Sequence, residues 1–288
     1  MNDTLKLLSR DEFPPLLREI PDAPKKLYVR GALPSSEKRW LAVVGSRSMS
    51  AYGKQACHAL IEGLRGYPVV VVSGLAYGID AEAHRAALAT HLPTVAVPGS
   101  GLDWNTLYPR ANVRLAREIL AADGALVSEF EPETKAADWT FPKRNRVMAG
   151  LSHAVLVIEA KEKSGSLITA KLTTEYNREL LVVPGSIFSE ESRGTHQFLR
   201  LGATAATSSD DILVALGITK REGATSLSEL RDDLSEDELR VFEIIRSPLS
   251  RDALIATLEL PITEANVLLS TMEIKGLILE ELGVVRIR

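Results

Sequence analysis

From Trp40 onward the hydrophobic positions fall in short unbroken runs rather than in alternation. They are LAVV (41–44), PVVVV (68–72), PTVAV (93–97), GALVS (124–128), HAVLVIE (153–159) and ELLVV (179–183), with a weaker GATAAT (202–207). A segment apolar at consecutive positions is buried on both faces, as strands of a helix-covered parallel sheet are. Between the runs, helical spacing predicts helices over 50–65, 79–90, 110–122, 167–178 and 197–201. Regular alternation of strand and helix predicts an α/β fold: an extended Rossmann-like, doubly wound and mostly parallel sheet. A closed eight-fold barrel needs more repeats than the chain contains.

The pattern changes at both ends. Residues 1–35, with FPPLLREIPDAP, are rich in Pro and read as an extended lead-in to a Rossmann-like domain over 36–216. Residues 217–234 (GITKREGATSLSELRDDL) turn to Gly, Ser, Thr and charge, the composition of a linker. Beyond it, three short helical patterns (235–246, 250–258, 262–275) precede two apolar runs, LILEE and VVRIR, split at Leu282-Gly283. Three helices followed by a hairpin is the order of a winged-helix-like domain over 235–288.

Composition narrows the class. With 288 residues, 45% hydrophobic and 25% charged, the chain is of ordinary globular make-up. A single cysteine, Cys57, excludes an internal disulfide framework and a cysteine-rich metal site. No stretch approaches 18 uninterrupted apolar residues, and the N-terminus lacks a signal-peptide pattern, so a cytoplasmic protein without a membrane partner is expected. The formal net charge of −4 means that any polyanion must be held by a local patch.

Such a patch stands in FPKRNRVMAGLS (141–152), where Lys143, Arg144 and Arg146 surround Asn145. Read as a basic turn before a helix-like MAGLS, it would lie at the carboxyl edge of the sheet, where ligands of doubly wound folds bind. The post-strand loops there read VVGSRS (43–48), VSGLAYGID (72–80), VPGSG (97–101), SEFEP (128–132), EAKEKSGSL (159–167) and VPGSI (183–187). Small residues let a ligand approach the backbone, and free amides at helix starts favour anions. Gly45, Ser46 and Arg47 follow the first strand; Ser164, Gly165 and Ser166 follow a later one. None of these loops matches G-x-G-x-x-G or a P-loop, so nicotinamide and nucleotide-triphosphate readings are weak, and no cofactor is expected. Guanidinium groups match phosphate oxygens and Phe141 can stack on a base, which suits a nucleic acid better than one mononucleotide. The bland alternatives are a solvated basic turn and, for Arg47, an interior salt bridge.

Asp80, Glu82 and His84 cluster at a helix start, but Asp and Glu two apart do not share a face, so no metal site is expected. Glu129 and Glu159 follow strands and could act as acid or base; capping or pairing with Arg144 or Arg146 is the favoured role.

Taken together, VVGSR, SGLAYGIDAEAH, VAVPGSGLD, Tyr108-Pro109, SEF, FPKRNRVMAGLS, VIEA, SGSLITA, VPGS and SRGTH fall in the order found in the DNA-processing protein A (DprA/Smf) family, which the chain resembles over roughly residues 28–216. The resemblance implies a non-enzymatic, single-stranded DNA-binding protein of natural transformation that protects incoming strands and loads the RecA recombinase. It also implies a homodimer and DNA contacts from Gly45, Ser46, Arg47, Lys143, Arg144, Asn145 and Arg146. Two positions depart from the family: Tyr77 stands where a basic residue is common, and His196 where Asn is usual. The rival reading is a nucleotide phosphoribohydrolase on a related fold. That family carries P-G-G-x-G-T-x-x-E; here the stretch is KSGSLIT, with Thr169 in the Glu position. The C-terminal segment holds six Arg or Lys against ten Asp or Glu, so it reads as a packing or protein-interaction module rather than a DNA reader.

Overall fold

The computed structural model describes residues 4–162, 164–219, 235–245, 249–258, 260–275, 277–281 and 283–287. The chain divides into two compact units, Met1–Lys220 and Arg221–Arg288.

In the first unit the predicted runs become seven parallel strands: β3 (Arg39–Val44), β4 (Val69–Ser73), β5 (Thr94–Ala96), β6 (Ala125–Ser128), β7 (Ala154–Val157), β8 (Glu179–Val182) and β9 (Thr204–Ala205). Most are buried along their whole length, as their unbroken apolar character requires. Helices α2 (Ala51–Glu62), α3 (Ile79–Ala89), α4 (Val113–Ala121), α6 (Gly165–Glu175) and α7 (Arg193–Arg200) fall in or beside the expected intervals, whereas α8 (Ser209–Ala215) has no counterpart among them. Ser50 caps α2, its hydroxyl accepting from the Gly53 amide.

The N-terminal segment corrects the sequence reading. It is not a lead-in but part of the sheet. Strand β1 (Leu5–Leu8) pairs antiparallel with β2 (Leu27–Gly31), and β2 pairs antiparallel with β6. Between them, Pro14 and Pro15 open the short helix α1 (Pro15–Glu19), where a proline needs no amide partner. Phe13, Leu17, Ile20, Leu27 and Val29 enter the same core as Val44, Val72 and Met148. Prolines broke the apolar periodicity in sequence without preventing burial.

The nine strands lie in the order β1-β2-β6-β5-β4-β3-β7-β8-β9. From β3 the chain steps outward through β4, β5 and β6, then crosses back to add β7 on the other side of β3. The switch point of the sheet is therefore between β3 and β7, whose register ends at Val44↔Val157. The crossing is made by α5 (Thr140–Leu151), a helix that includes the whole FPKRNR segment. This is the second correction: the cluster is a helical turn, not a basic loop preceding a helix. Pro142 is tolerated because it falls in the first turn.

The second unit contains helices Glu236–Ile244, Arg251–Leu258 and Ile262–Ile274, and a three-stranded antiparallel sheet with Val284–Ile287 between Leu249–Ser250 and Ile278–Glu281. Val241, Leu254, Leu269, Met272 and Val285 form its own core. Three helices and a terminal hairpin match the winged-helix order read from sequence. Most of the expected linker, residues 220–234, lies outside the described residues. No single helix among the described residues is long and apolar enough to cross a membrane.

Candidate nucleic-acid interface

A cleft of about 460 Å³ opens at the switch point, lined among others by Gly45, Ser46 and Arg47 after β3 and by Ser164 and Gly165 after β7. Phe141, Arg144 and Asn145 of α5 form the wall between them. Two sequence-distant Ser-Gly loops and the basic helix thus meet at one place, because parallel strands send all their following loops to one edge. The Ser46 hydroxyl accepts from the Ser48 amide at 3.1 Å and its carbonyl from the Ile79 amide at 3.1 Å, so the β3 loop is tied to the start of α3. Asn145 Nδ2 donates to the Gly165 carbonyl at 3.3 Å, joining α5 to the start of α6.

The three cations of the cluster take three different directions. Lys143 is exposed, with Nζ 5.0 Å from the centre of the Trp139 ring. Arg144 is buried: Nη1 donates to the Gly74 carbonyl and, at 2.7 Å, to the Val97 carbonyl, and Nε donates to Asn145 Oδ1 at 3.0 Å. A Cβ at Gly74 would collide with this guanidinium, so glycine is what admits the arginine. Arg146 turns the other way, donating to the Glu129 carboxylate and the Asp22 carbonyl. A helix advances about 100° per residue, so neighbouring cations cannot share a face.

Arg146 lies outside the cleft lining and is committed to an ion pair. Arg144 lines the cleft only as part of an internal network. Its counter-ion is Asp80, which also accepts hydrogen bonds from the Ala76 and Gly74 backbone. Burial raises the Asp80 carboxyl and lowers the Arg144 guanidinium, and their mutual attraction opposes both shifts.

Arg47 is exposed too, with its guanidinium carbon 4.8 Å from the centre of the Phe141 ring, while Lys161, a third exposed cation at the cleft, lies 3.2 Å from Glu191. Among the described residues neither Arg47 nor Lys143 forms an ion pair. Phe141 itself packs against Gly99, where a Cβ would lie 2.6 Å from the ring, and edge-on to Tyr108 at 6.1 Å. The side chain of Ser166 lies outside the described residues.

The candidate acids and bases are occupied elsewhere. Glu159 accepts from the Ser50 amide at 2.9 Å and from its hydroxyl at 2.5 Å, a cap on α2. Glu129 pairs with Arg146, its carboxyl raised by burial against the pull of Arg146 and Lys143. Glu82 is held by Lys54 at 3.5 Å, His58 at 3.0 Å and Arg85 at 2.8 Å. His84 is not an ordinary helix-face residue. It is fully buried against Thr94 Oγ1 at 2.7 Å, and burial pushes its imidazole down to about 3. No group of three or more metal-ligating side chains occurs among the described residues.

Comparison with known proteins agrees with this layout. The family model for DNA recombination-mediator protein A matches residues 4–217. The chain belongs to that family. It is 43% identical to Protein Smf of Escherichia coli over 201 residues, covering 70% of this chain but 53% of that one. It is likewise 43% identical to DNA processing protein DprA of Streptococcus pneumoniae, over 70% of this chain and 71% of that one. The chain thus matches about half the length of the Escherichia coli relative. The solved Streptococcus pneumoniae structure superposes with a TM-score of 0.67 at 38% identity, covering 74% of this chain and 75% of that one. The DNA processing protein A of Helicobacter pylori, described for its single-stranded DNA binding mode, superposes with a TM-score of 0.64 at 28% identity, covering 74% and 95%.

The family match begins at residue 4, so it includes the N-terminal strands that sequence reading left outside the domain. Sequence reading also missed Asp80 as the partner of Arg144 and Trp139 as the ring under Lys143. The signal for Trp139 was its place two residues before Phe141. Thr169 was noticed only as a missing carboxylate. It lines the cleft, and its buried Oγ1 has no hydrogen-bond partner among the described residues.

Proposed function

We propose that this protein binds single-stranded DNA at the switch-point cleft, without catalysis, and serves as a recombination mediator in natural transformation. The observation that carries this reading is two exposed cations with no ion pair among the described residues, each over an aromatic ring: Arg47, over Phe141 in the lining of the Ser-Gly cleft, and Lys143, over Trp139 on the helix that walls it. Phosphates meet charge and backbone amides there, while bases meet π-faces, a combination tolerant of sequence. Gly45, Ser46, Asn145, Ser164 and Gly165 complete the proposed contact surface, with Ser166 following from the sequence of the same loop. Arg144 holds the cleft in shape, and Arg146 holds α5 to Glu129. The single-strand binding described for the Helicobacter pylori relative supports the same assignment here.

In this reading the protein protects incoming strands, hands them to the RecA recombinase and works as a homodimer in the cytoplasm. Ile187, Phe188 and Leu201, 76%, 91% and 79% exposed, supply apolar surface for a second copy. The hydrolase alternative is weakened because Thr169 offers no acid or base, and Glu129 and Glu159 are bound up in pairing and capping.

The test is binding of fluorescent oligo-dT against duplex DNA across a salt series. Single-strand affinity should fall with salt by a log–log slope of about −0.7 per phosphate neutralised. Salt-independent binding, or preference for the duplex, overturns the assignment.

A further inference from the structure

We infer that the binding track for the single strand extends from the cleft along the carboxyl edge of β4, β5 and β6, where bases stack on Tyr77, Tyr108, Phe141 and Trp139. This rests on the single-strand reading above and adds a path to it.

Among the described residues five aromatic side chains are exposed: Tyr52, Tyr77, Tyr108, Trp139 and Phe188. Two of the five, Tyr77 and Tyr108, stand beside Phe141, and Trp139 precedes it by two residues at the start of the same helix, although aromatic residues are only 5% of the chain. Tyr77, Tyr108 and Phe141 line one small pocket of about 10 Å³ together with Arg47. Tyr108 meets Phe141 edge-on at 6.1 Å, and Trp139 meets Phe130 edge-on at 5.6 Å.

The rings follow the strand order. Tyr77 sits in the loop after β4, Phe141 lies on Gly99 after β5, and Trp139 packs on Phe130 after β6. Neighbouring strands are about 4.8 Å apart, so rings anchored over successive strands make a ladder across the sheet edge. Edge-on packing on Phe130 does not cover Trp139, which keeps 54% of its surface exposed, with Tyr77 at 45% and Tyr108 at 40%. A purely structural role would not require that water-facing surface.

Charge accompanies the ladder. Lys143 lies over Trp139 and Arg47 over Phe141, so two of the four rings have a cation beside them for an adjoining phosphate. The Tyr77 loop is held in place by Asn112, whose Nδ2 donates to the Leu75 carbonyl at 2.8 Å and the Ala76 carbonyl at 3.1 Å. A platform fixed in this way loses little entropy when a base settles on it. The ligand is an unpaired, flexible strand, because bases held in a duplex cannot present their faces to four rings.

The experiment titrates the full chain with labelled oligo-dT of about 6 and about 30 nucleotides, alongside Trp139→Ala, Trp139→Phe, Tyr77→Ala and Arg47→Ala. Trp139→Ala and Tyr77→Ala should each weaken the long oligonucleotide roughly five- to hundredfold, as loss of one stacked base does, and the short one much less. Trp139→Phe should retain affinity but lose the quenching of intrinsic fluorescence that DNA produces in the parent chain. Arg47→Ala should weaken both lengths. If Trp139→Ala and Tyr77→Ala bind the long strand like the parent, and Trp139→Phe is quenched equally, the track is wrong while the cleft stands on Arg47. If the parent binds neither oligonucleotide, both readings fall together.

Discussion

The carboxyl edge of the sheet and the C-terminal unit both carry cations, but in different states of commitment. In the C-terminal unit, Arg251 lies 3.3 Å from Glu273 and 2.6 Å from Glu280, and Lys275 lies 2.7 Å from Glu238. Its third helix, Ile262–Ile274, presents Ile262 and Val267 to solvent, 71% and 64% exposed. At the sheet edge, Arg47 and Lys143 have rings beside them and no carboxylate in ion-pair contact among the described residues. A phosphate approaching Arg251 or Lys275 meets charge already neutralised; at Arg47 and Lys143 it meets charge still available. The number of cations in a region says less about polyanion binding than how many remain uncommitted.

The largest effect that would test this contrast lies just beneath the exposed pair. Arg144→Ala would leave Asp80 buried without its counter-ion. It should cost on the order of 3–5 kcal/mol of folding stability, read by urea unfolding. A variant as stable as the parent would mean that water or another group compensates Asp80, and that Arg144 is not the internal strut described above.

Arg47→Ala and Lys143→Ala should show the opposite profile. Each should lose about 1–3 kcal/mol of oligo-dT affinity, as charge-assisted hydrogen bonds do, with a shallower salt slope and an unchanged unfolding midpoint. Loss of stability with intact binding would reverse the assignment of exposed and buried roles within the cluster.

Arg146→Ala sharpens the comparison further, because this cation is committed to Glu129 and Asp22. Removing it should lower stability by roughly 1–3 kcal/mol, the cost of leaving a part-buried carboxylate without its partner. DNA affinity of the folded variant should change less than it does in Arg47→Ala, measured in the same titration.

The smallest effect is expected from removing the C-terminal unit. A chain ending at Leu216 should keep single-strand affinity within tenfold of the full chain, about 1.4 kcal/mol. A larger loss with the oligomeric state unchanged would show that paired cations on a winged-helix-like unit still contribute to binding, and the contrast drawn above would fail.

Much of this was legible from the chain alone. Strands β3 to β9 could be read because a strand covered on both faces must be apolar at successive positions, and few other segments satisfy that. The Ser-Gly loops could be assigned to one edge because parallel connectivity leaves no other place for them. The basic cluster was visible as composition, and its association with Phe141 as proximity in sequence.

Three things were not legible. The N-terminal strands were hidden because Pro14, Pro15 and Pro24 interrupt the periodicity, while their burial depends on β6, about a hundred residues away. The helical state of FPKRNR was hidden by Pro142, which reads as a turn but is harmless in a first turn. The division of labour among Lys143, Arg144 and Arg146 then followed from helical rotation, which sends adjacent residues to different neighbours. The sequence by itself determined the seven parallel strands, their alternation with helices and the presence of positive charge, since these rest on local pattern and hydrophobic burial. Only the tertiary structure decided which cations remain available, because that depends on Asp80, Glu129 and Asp22, carboxylates brought into reach by folding from 64, 17 and 124 residues away.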